Sequence, residues 1–193
     1  MPPRFPINTN GRPIILVGLM GCGKTTVAKE LSRQTGMPLL DMDAVIEEQI
    51  GKTIPEIFEE YGEAHFRALE TALLRYLAEQ SYTDRKPPII STGGGVVMRE
   101  ENRELLRHLG FVVWLNVDLP LLLARTARGN NRPLLQTADP AAKMRQLLEL
   151  RAPAYAATAH ISLNCSHSNV FATARRVCKA ANRYFAAIRR CNA

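Results

Sequence analysis

Gly18-Leu19-Met20-Gly21-Cys22-Gly23-Lys24-Thr25 decides the reading of this chain. It follows the apolar run Pro13-Ile14-Ile15-Leu16-Val17 and precedes Thr26-Val27-Ala28-Lys29-Glu30-Leu31, so the local order is strand, glycine loop, helix. The loop fits Gly-x-x-x-x-Gly-Lys-Thr, a pattern that arises by chance in about one chain of this length in a hundred. A phosphate chain needs this order. The glycines let backbone N–H groups close around it, and the new helix turns its positive end towards it. Lys24 neutralises the outer phosphates and the Thr25 hydroxyl can ligate Mg²⁺. Gly21, Cys22, Gly23, Lys24, Thr25 and Thr26 are therefore placed against a nucleoside triphosphate.

Outward from the loop, five short apolar or β-branched runs stand apart: Pro13–Val17, Pro38–Leu40, Pro88–Ser91, Phe111–Val117 and His160–Leu163. Helical patterns lie between them, and this alternation predicts an α/β fold, a five-stranded parallel sheet with helices on both faces. Ligands bind such sheets at the carboxyl ends of the strands, so the residues just after each run matter most.

The second run leads into Asp41-Met42-Asp43. Carboxylates at i and i+2 of an extended segment point to one side, here the mouth of the phosphate loop. One can support Mg²⁺ while the other holds or deprotonates an acceptor hydroxyl. Capping of a helix starting at Ala44 is the competing explanation for Asp43, and it leaves Asp41 without a role. Helices are expected over Pro55–Tyr61 and Glu63–Gln80. On the second, Arg67 and Glu70 at i and i+3 are close enough to pair, either as an ordinary surface ion pair or as a guanidinium prepared to grip a carboxylate.

The third run ends in Ser91-Thr92-Gly93-Gly94-Gly95. It stands where many phosphate-loop proteins carry an acid for Mg²⁺, and its lack of one leaves Asp41 as the candidate. Three consecutive glycines exceed what a turn needs and allow backbone to approach a ligand closely. Asp118 opens a helix carrying Arg125, followed by Arg128-Gly129-Asn130-Asn131-Arg132-Pro133, flexible at one end and cationic, which suits a lid over phosphates as well as an ordinary polar loop. Asp139 starts a helix that delivers Arg151.

Composition narrows the partners. Lys plus Arg number 25 against 18 Asp plus Glu, a net charge of +7 that favours anionic ligands in general. Residues 1–12 read as a loose arm with no apolar core, so no signal peptide or membrane anchor is expected. No stretch approaches the roughly 18 apolar residues of a membrane span. Cys22, Cys165, Cys178 and Cys191 lack zinc-ligand spacing and read as free thiols of a reducing cytoplasm. Arg175, Arg176, Lys179, Arg183, Arg189 and Arg190 form a basic terminal helix, read as a solvated face and not as a nucleic-acid patch, since no aromatics are interleaved.

Taken together, the phosphate loop, Leu39-Leu40-Asp41-Met42-Asp43, Phe66-Arg67-x-x-Glu70, Ser91-Thr92-Gly93-Gly94-Gly95, Arg132-Pro133-Leu134-Leu135 and Arg151-Ala152-Pro153-x-Tyr155 resemble a shikimate kinase, from about Ile14 to the terminal helix. The resemblance implies a three-layer P-loop kinase fold with a mobile lid at about 126–138, an acceptor-binding region at about 42–80, and a single domain over 13–193. It implies transfer of the γ-phosphate of ATP to the 3-hydroxyl of shikimate, on the route to chorismate and aromatic amino acids. By the same resemblance, Thr25 binds Mg²⁺ directly and Asp41 supports it through water. Asp43 contacts the acceptor hydroxyls and is the base, Lys24 and Arg132 act on the phosphates, and Arg125 packs near the adenine. Arg67, Arg151 and the glycines Gly93, Gly94 and Gly95 hold the acceptor, and Glu70 orients Arg67. A cytoplasmic monomer is expected. The alternatives are a small P-loop kinase acting on gluconate or a nucleoside monophosphate, a nucleotide-binding module without turnover, and a basic nucleic-acid-binding protein.

Overall fold

Ile14-Ile15-Leu16-Val17 forms the middle strand, β1 (Ile14–Val17), and all four side chains are fully buried. Burial of each contributes about 1.5–3 kcal/mol, and a run apolar on both faces fits a strand covered by helices above and below. The computed structural model describes Phe5, residues 7–80, Tyr82, residues 86–127, Thr137 and residues 139–191. Arg132 and most of the expected lid lie outside these residues.

The other strands are β2 (Leu39–Asp41), β3 (Ile89–Ser91), β4 (Phe111–Asn116) and β5 (Ile161–Asn164). They form one sheet in the order β2-β3-β1-β4-β5, every neighbouring pair parallel. The expected five-stranded parallel sheet is therefore present, with strand ends within about a residue of those read from sequence. Asp41 pairs in register with Ser91, and Ser91 with Leu16. That line across the sheet brings Asp41, Ser91 and the start of the phosphate loop to one edge.

Between the strands lie α1 (Lys24–Thr35), α2 (Met42–Ile50), α3 (Ile54–Glu79), a 3₁₀ turn (Val96–Met98), α4 (Glu100–Leu109), α5 (Leu119–Thr126), α6 (Pro140–Thr158) and α7 (Val170–Cys191). α1 packs on α7 and touches β1 and β3, while α4 and α6 pack together and touch β4. These two groups are the layers on either face of the sheet. The helices expected over 55–61 and 63–80 are joined in α3, which breaks at Gly62 (φ 80°, ψ 168°).

One local expectation is corrected. The segment 41–43 is not extended through Asp43, because α2 already begins at Met42 and Asp41 is its N-cap, accepting from the Asp43 N–H at 3.2 Å. Asp43 sits inside the first turn, where a carboxylate meets the positive helix end. Part of the expected N-terminal arm is tied to the body. The Phe5 N–H donates to the Gln34 carbonyl at 3.1 Å, Arg12 donates to the His108 carbonyl, and Arg189 reaches the Asn8 carbonyl and Asn10 Oδ1, both at 3.1 Å.

Candidate active site

A cleft of about 1120 Å³ opens at the carboxyl edge of the sheet. Its nucleotide end is the loop between β1 and α1. Gly23 is the cap of α1 in left-handed backbone (φ 96°), and Gly21 (φ 81°) has so little room that a Cβ would stand 2.8 Å from Thr126 Cγ2. Lys24 is buried against its own loop, its Nζ donating to the carbonyls of Gly18 at 2.8 Å and Leu19 at 3.2 Å. Arg125 lies over the loop from outside, its Nη1 3.5 Å from the carbonyls of Gly21 and Cys22.

Thr25 and Asp41 are brought together by β1, β3 and β2. Thr25 Oγ1 donates to Asp41 Oδ2 at 2.8 Å and lies 3.2 Å from Ser91 Oγ. Asp41 thus spends one oxygen on capping α2 and turns the other to Thr25. Among the described residues, no group of three or more His, Cys, Asp or Glu side chains is placed to hold a metal by itself. A short set of hard oxygens beside a phosphate loop fits Mg²⁺, which keeps several waters and shares phosphate oxygens.

The acceptor end is built by α2, α3, the glycine triplet and α6. Arg67, whose side chain is 11% exposed, donates to Glu70 at 2.7 Å and through two nitrogens to Glu63 at 3.1 and 2.7 Å. Glu70 is fully buried. The triplet is glycine for steric reasons, a different one at each position. A Cβ on Gly93 would overlap Glu70 Oε1 and lie 3.0 Å from Asp43 Oδ1, one on Gly94 would lie 3.3 Å from the Met20 nitrogen, and one on Gly95 would overlap the Arg67 guanidinium. Arg151, 4% exposed, donates to the Gly94 carbonyl at 3.1 Å.

Charge is concentrated here, and the ion pairs of Arg67 leave part of it without a partner. Asp43 Oδ1, Glu70 Oε1 and Arg151 Nε are buried and have no hydrogen-bond partner. Such atoms are costly; Asp43 and Arg151 line the same end of the cleft, where a ligand with hydroxyls and a carboxylate would satisfy them, and Glu70 lies behind it. Burial pushes the Asp43 carboxyl above the ordinary range, Lys24 opposes that, and Asp41 and Glu47 add to it. Burial likewise pushes Glu70 up against the pull of Arg67, with Asp43 adding to the rise. For Arg67, burial works to lower the pKa, but Glu70 and Glu63 outweigh it and the guanidinium stays charged.

The structure therefore gathers Gly21, Cys22, Gly23, Lys24, Thr25, Thr26, Asp43, Arg67, Gly93, Gly94, Gly95, Arg125 and Arg151 around one cleft, with Asp41 and Glu70 directly behind it. Phe58 and Phe66 pack at 5.0 Å and border it. Sequence reasoning missed Glu63 as the second carboxylate on Arg67, although the i, i+4 spacing was visible. It also missed Cys165, Ser168, Val170 and Thr173, which line the nucleotide end where β5 delivers α7. No local signal marks these.

Comparison with known proteins agrees with the geometry. The family model described as shikimate kinase matches residues 20–182. A shikimate kinase of Marinomonas sp. is 42% identical over 171 residues, covering 89% of this chain and 92% of its own. One of Acinetobacter baumannii is 46% identical over 150 residues, covering 78% and 81%. The solved structure described as shikimate kinase from Acinetobacter baumannii in complex with shikimate is similar with a TM-score of 0.82 and 40% identity, over 88% of this chain and 92% of that one. A gluconokinase from Sinorhizobium meliloti shares the fold at a TM-score of 0.60 and 15% identity.

Proposed function

The chain belongs to the shikimate kinase family, and from that premise we propose how its residues divide the work of phosphorylating shikimate. Its activity is that of the family, transfer of the γ-phosphate of ATP to a hydroxyl of shikimate. The observation that carries the residue-level reading is the union in one cleft of a complete phosphate loop with Arg67 and Arg151. Phosphates account for the first, and an acidic acceptor would use the guanidinium of Arg151, whose Nε has no partner, and the braced one of Arg67.

Phosphoryl transfer demands mainly positioning and charge neutralisation. Lys24 exchanges its contacts with the Gly18 and Leu19 carbonyls for phosphate oxygens, while the N–H groups of Gly21, Cys22, Gly23, Thr25 and Thr26 line the phosphate chain. Thr25 and Asp41 would hold Mg²⁺, which when bound draws charge from the β- and γ-phosphate oxygens. Arg67 and Arg151 bind the acceptor carboxylate, Glu70 fixes Arg67, and the glycine triplet lets the acceptor lie against backbone. Asp43 receives the hydroxyl proton on its unpartnered Oδ1, and its raised pKa makes it a better proton acceptor than an ordinary carboxylate. The hydroxyl so placed is the 3-hydroxyl, giving shikimate 3-phosphate. Arg125 flanks the adenine, and Arg132, outside the described residues, is assigned by the resemblance to the phosphates.

The same reading makes 13–193 one domain preceded by an arm over 1–12, with acceptor binding in 42–80, acting as a cytoplasmic monomer without nucleic acid. No helix among the described residues is long and apolar enough to cross a membrane. Within basic α7, Arg176 and Arg189 donate to the chain's own carbonyls at Asn164 and Asn8.

An ADP-release assay with Mg·ATP tests the acceptor, comparing shikimate with gluconate, quinate and AMP at one concentration. Turnover confined to shikimate is expected. Turnover with gluconate or quinate, both carboxylates, would overturn shikimate as the acceptor and leave the roles of Arg67 and Arg151 standing, whereas turnover with AMP alone would overturn those roles.

A further inference from the structure

Arg151 and Tyr155 stand four residues apart on α6 and hence on one face. Both donate to a single atom, the carbonyl oxygen of Gly94, Arg151 through Nη1 at 3.1 Å and Tyr155 through its hydroxyl. Tyr155 is fully buried and its ring stacks on Trp114 at 5.6 Å. Burial drives its pKa upward, so the hydroxyl remains a donor.

Three glycines in a row are the most freely rotating stretch a chain can offer, so groups outside the triplet must set its shape. After it, Asn102 donates to the Val96 carbonyl at 2.9 Å and Arg103 to the Val97 carbonyl at 3.1 Å. Within it, the Gly93 and Gly95 carbonyls accept from the Val96 and Met98 N–H groups at 3.4 and 3.0 Å, and the side-chain hold is on the Gly94 carbonyl, whose two lone pairs accommodate both donors. The Gly94 Cα is meanwhile wedged against the phosphate loop, a Cβ there being 3.3 Å from the Met20 nitrogen and 3.6 Å from the Gly18 oxygen. Arg151 keeps a buried, unpartnered Nε. One hydrogen bond would leave that guanidinium free to pivot about Gly94 O. A second donor on the same oxygen, carried by a buried and stacked ring, fixes the point from which the guanidinium is held.

We propose that Tyr155 is a positioning residue for the acceptor: its hydroxyl fixes the Gly94 carbonyl, and through it sets the Arg151 guanidinium in the orientation that receives the acceptor carboxylate. This rests on the reading of Arg151 as an acceptor-binding residue.

The experiment measures KM for shikimate and for ATP, kcat and thermal stability in Tyr155→Phe, Arg151→Lys and the double variant. Phe keeps the ring on Trp114 and deletes only the hydroxyl. Loss of one hydrogen bond predicts a shikimate KM about 3–10-fold higher in Tyr155→Phe, with ATP KM within about twofold. In the Arg151→Lys background the same change should add less than about twofold, because its effect passes through Arg151. A full, additive effect in that background, or an equal rise in both KM values, would overturn the inference. Arg151→Lys impaired towards shikimate beside an unimpaired Tyr155→Phe would overturn the inference and leave the Arg151 reading standing. Arg151→Lys with unchanged shikimate KM would overturn both. Should Tyr155→Phe fail to fold, Trp114→Phe loosens the ring while keeping the hydroxyl. It should raise shikimate KM and spare ATP, and an unchanged shikimate KM would count against the proposal.

Discussion

Asp43 Oδ1 and Glu70 Oε1 converge on Gly93, so that a Cβ at this glycine would lie 3.0 Å from the first and overlap the second. Glu70 cannot swing away cheaply, since it is fully buried and paired with Arg67 at 2.7 Å. Gly93→Ala should therefore displace the carboxylates that face the acceptor while leaving the phosphate loop untouched. Overpacking of this kind costs about 1–3 kcal/mol of folding stability. Thermal melting should show that loss, and steady-state kinetics should show shikimate KM raised and ATP KM little changed. A variant with normal shikimate KM would mean that Glu70 relaxes freely.

Asp43→Asn separates chemistry from stability. Removal of the base should lower kcat by about 10²–10⁴-fold while ATP binding, followed by calorimetry, persists. Stability should move the other way. The folded carboxyl is raised above its unfolded value, chiefly by burial, so between the two values the native state holds more protons and stability falls as pH rises. At neutral pH the charge is a cost that Asn does not carry. The variant should melt above the wild type at pH 7, with the gap closing on acidification below the unfolded carboxylate value. Near-normal turnover would remove Asp43 as the base.

Arg67→Lys keeps the charge but loses the planar fork. Glu63 takes two of the Arg67 nitrogens and Glu70 a third, a bracing that a lysine ammonium cannot reproduce. Shikimate KM should rise by about tenfold or more, with ATP KM within about twofold. An effect confined to ATP would sink the carboxylate-binding role.

Lys24→Met should abolish ATP binding and turnover together. Lys24 is held at the loop by the Gly18 and Leu19 carbonyls, and no other described cation stands inside the phosphate loop. Isothermal titration with Mg·ATP checks it, and measurable affinity near the wild-type value would contradict the assignment.

Much of this site was legible because its parts are contiguous in the chain. The phosphate loop announces itself in eight residues, and the glycine triplet signals close approach before any neighbour is known. Asp41 and Asp43 were legible as a pair but not in geometry. Spacing cannot tell a strand that runs on from one that stops at a cap, and here the choice of Asp41 as N-cap decided it. Glu70 was readable as a partner of Arg67, while its complete burial was not, since that depends on the triplet packing over it. Tyr155 was legible only as the end of Arg151-Ala152-Pro153-x-Tyr155, with nothing to show its bond to Gly94, and Cys165 had no local signature. Their places are set by Trp114 and by the delivery of α7 across the sheet, contacts between residues far apart in sequence.

His160, at the amino end of β5, gives the pH dependence a sign that can be isolated. Its Nδ1 accepts from the Val112 N–H at 3.0 Å, its Nε2 lies 3.2 Å from the Tyr184 hydroxyl, and the ring stacks on Phe111. The neutral ring with Nε2 protonated satisfies both contacts. Burial pushes its pKa down to about 4 from 6.5, with Arg107 and Arg12 adding to the fall. A depressed histidine contributes stability that is present above the unfolded value and lost as pH falls towards the folded one. The window is therefore about pH 6.5 to 4, and partial exposure of the ring keeps the loss modest. Asp43 and Glu70 act oppositely on acidification, so the wild type alone does not isolate the effect. His160→Asn does, because its side-chain oxygen can accept from Val112 without titrating. Melting temperatures taken from pH 7.5 to 4.5 should fall more steeply for the wild type than for the variant, and parallel curves would show that His160 is protonated as easily in the folded chain as in the unfolded one.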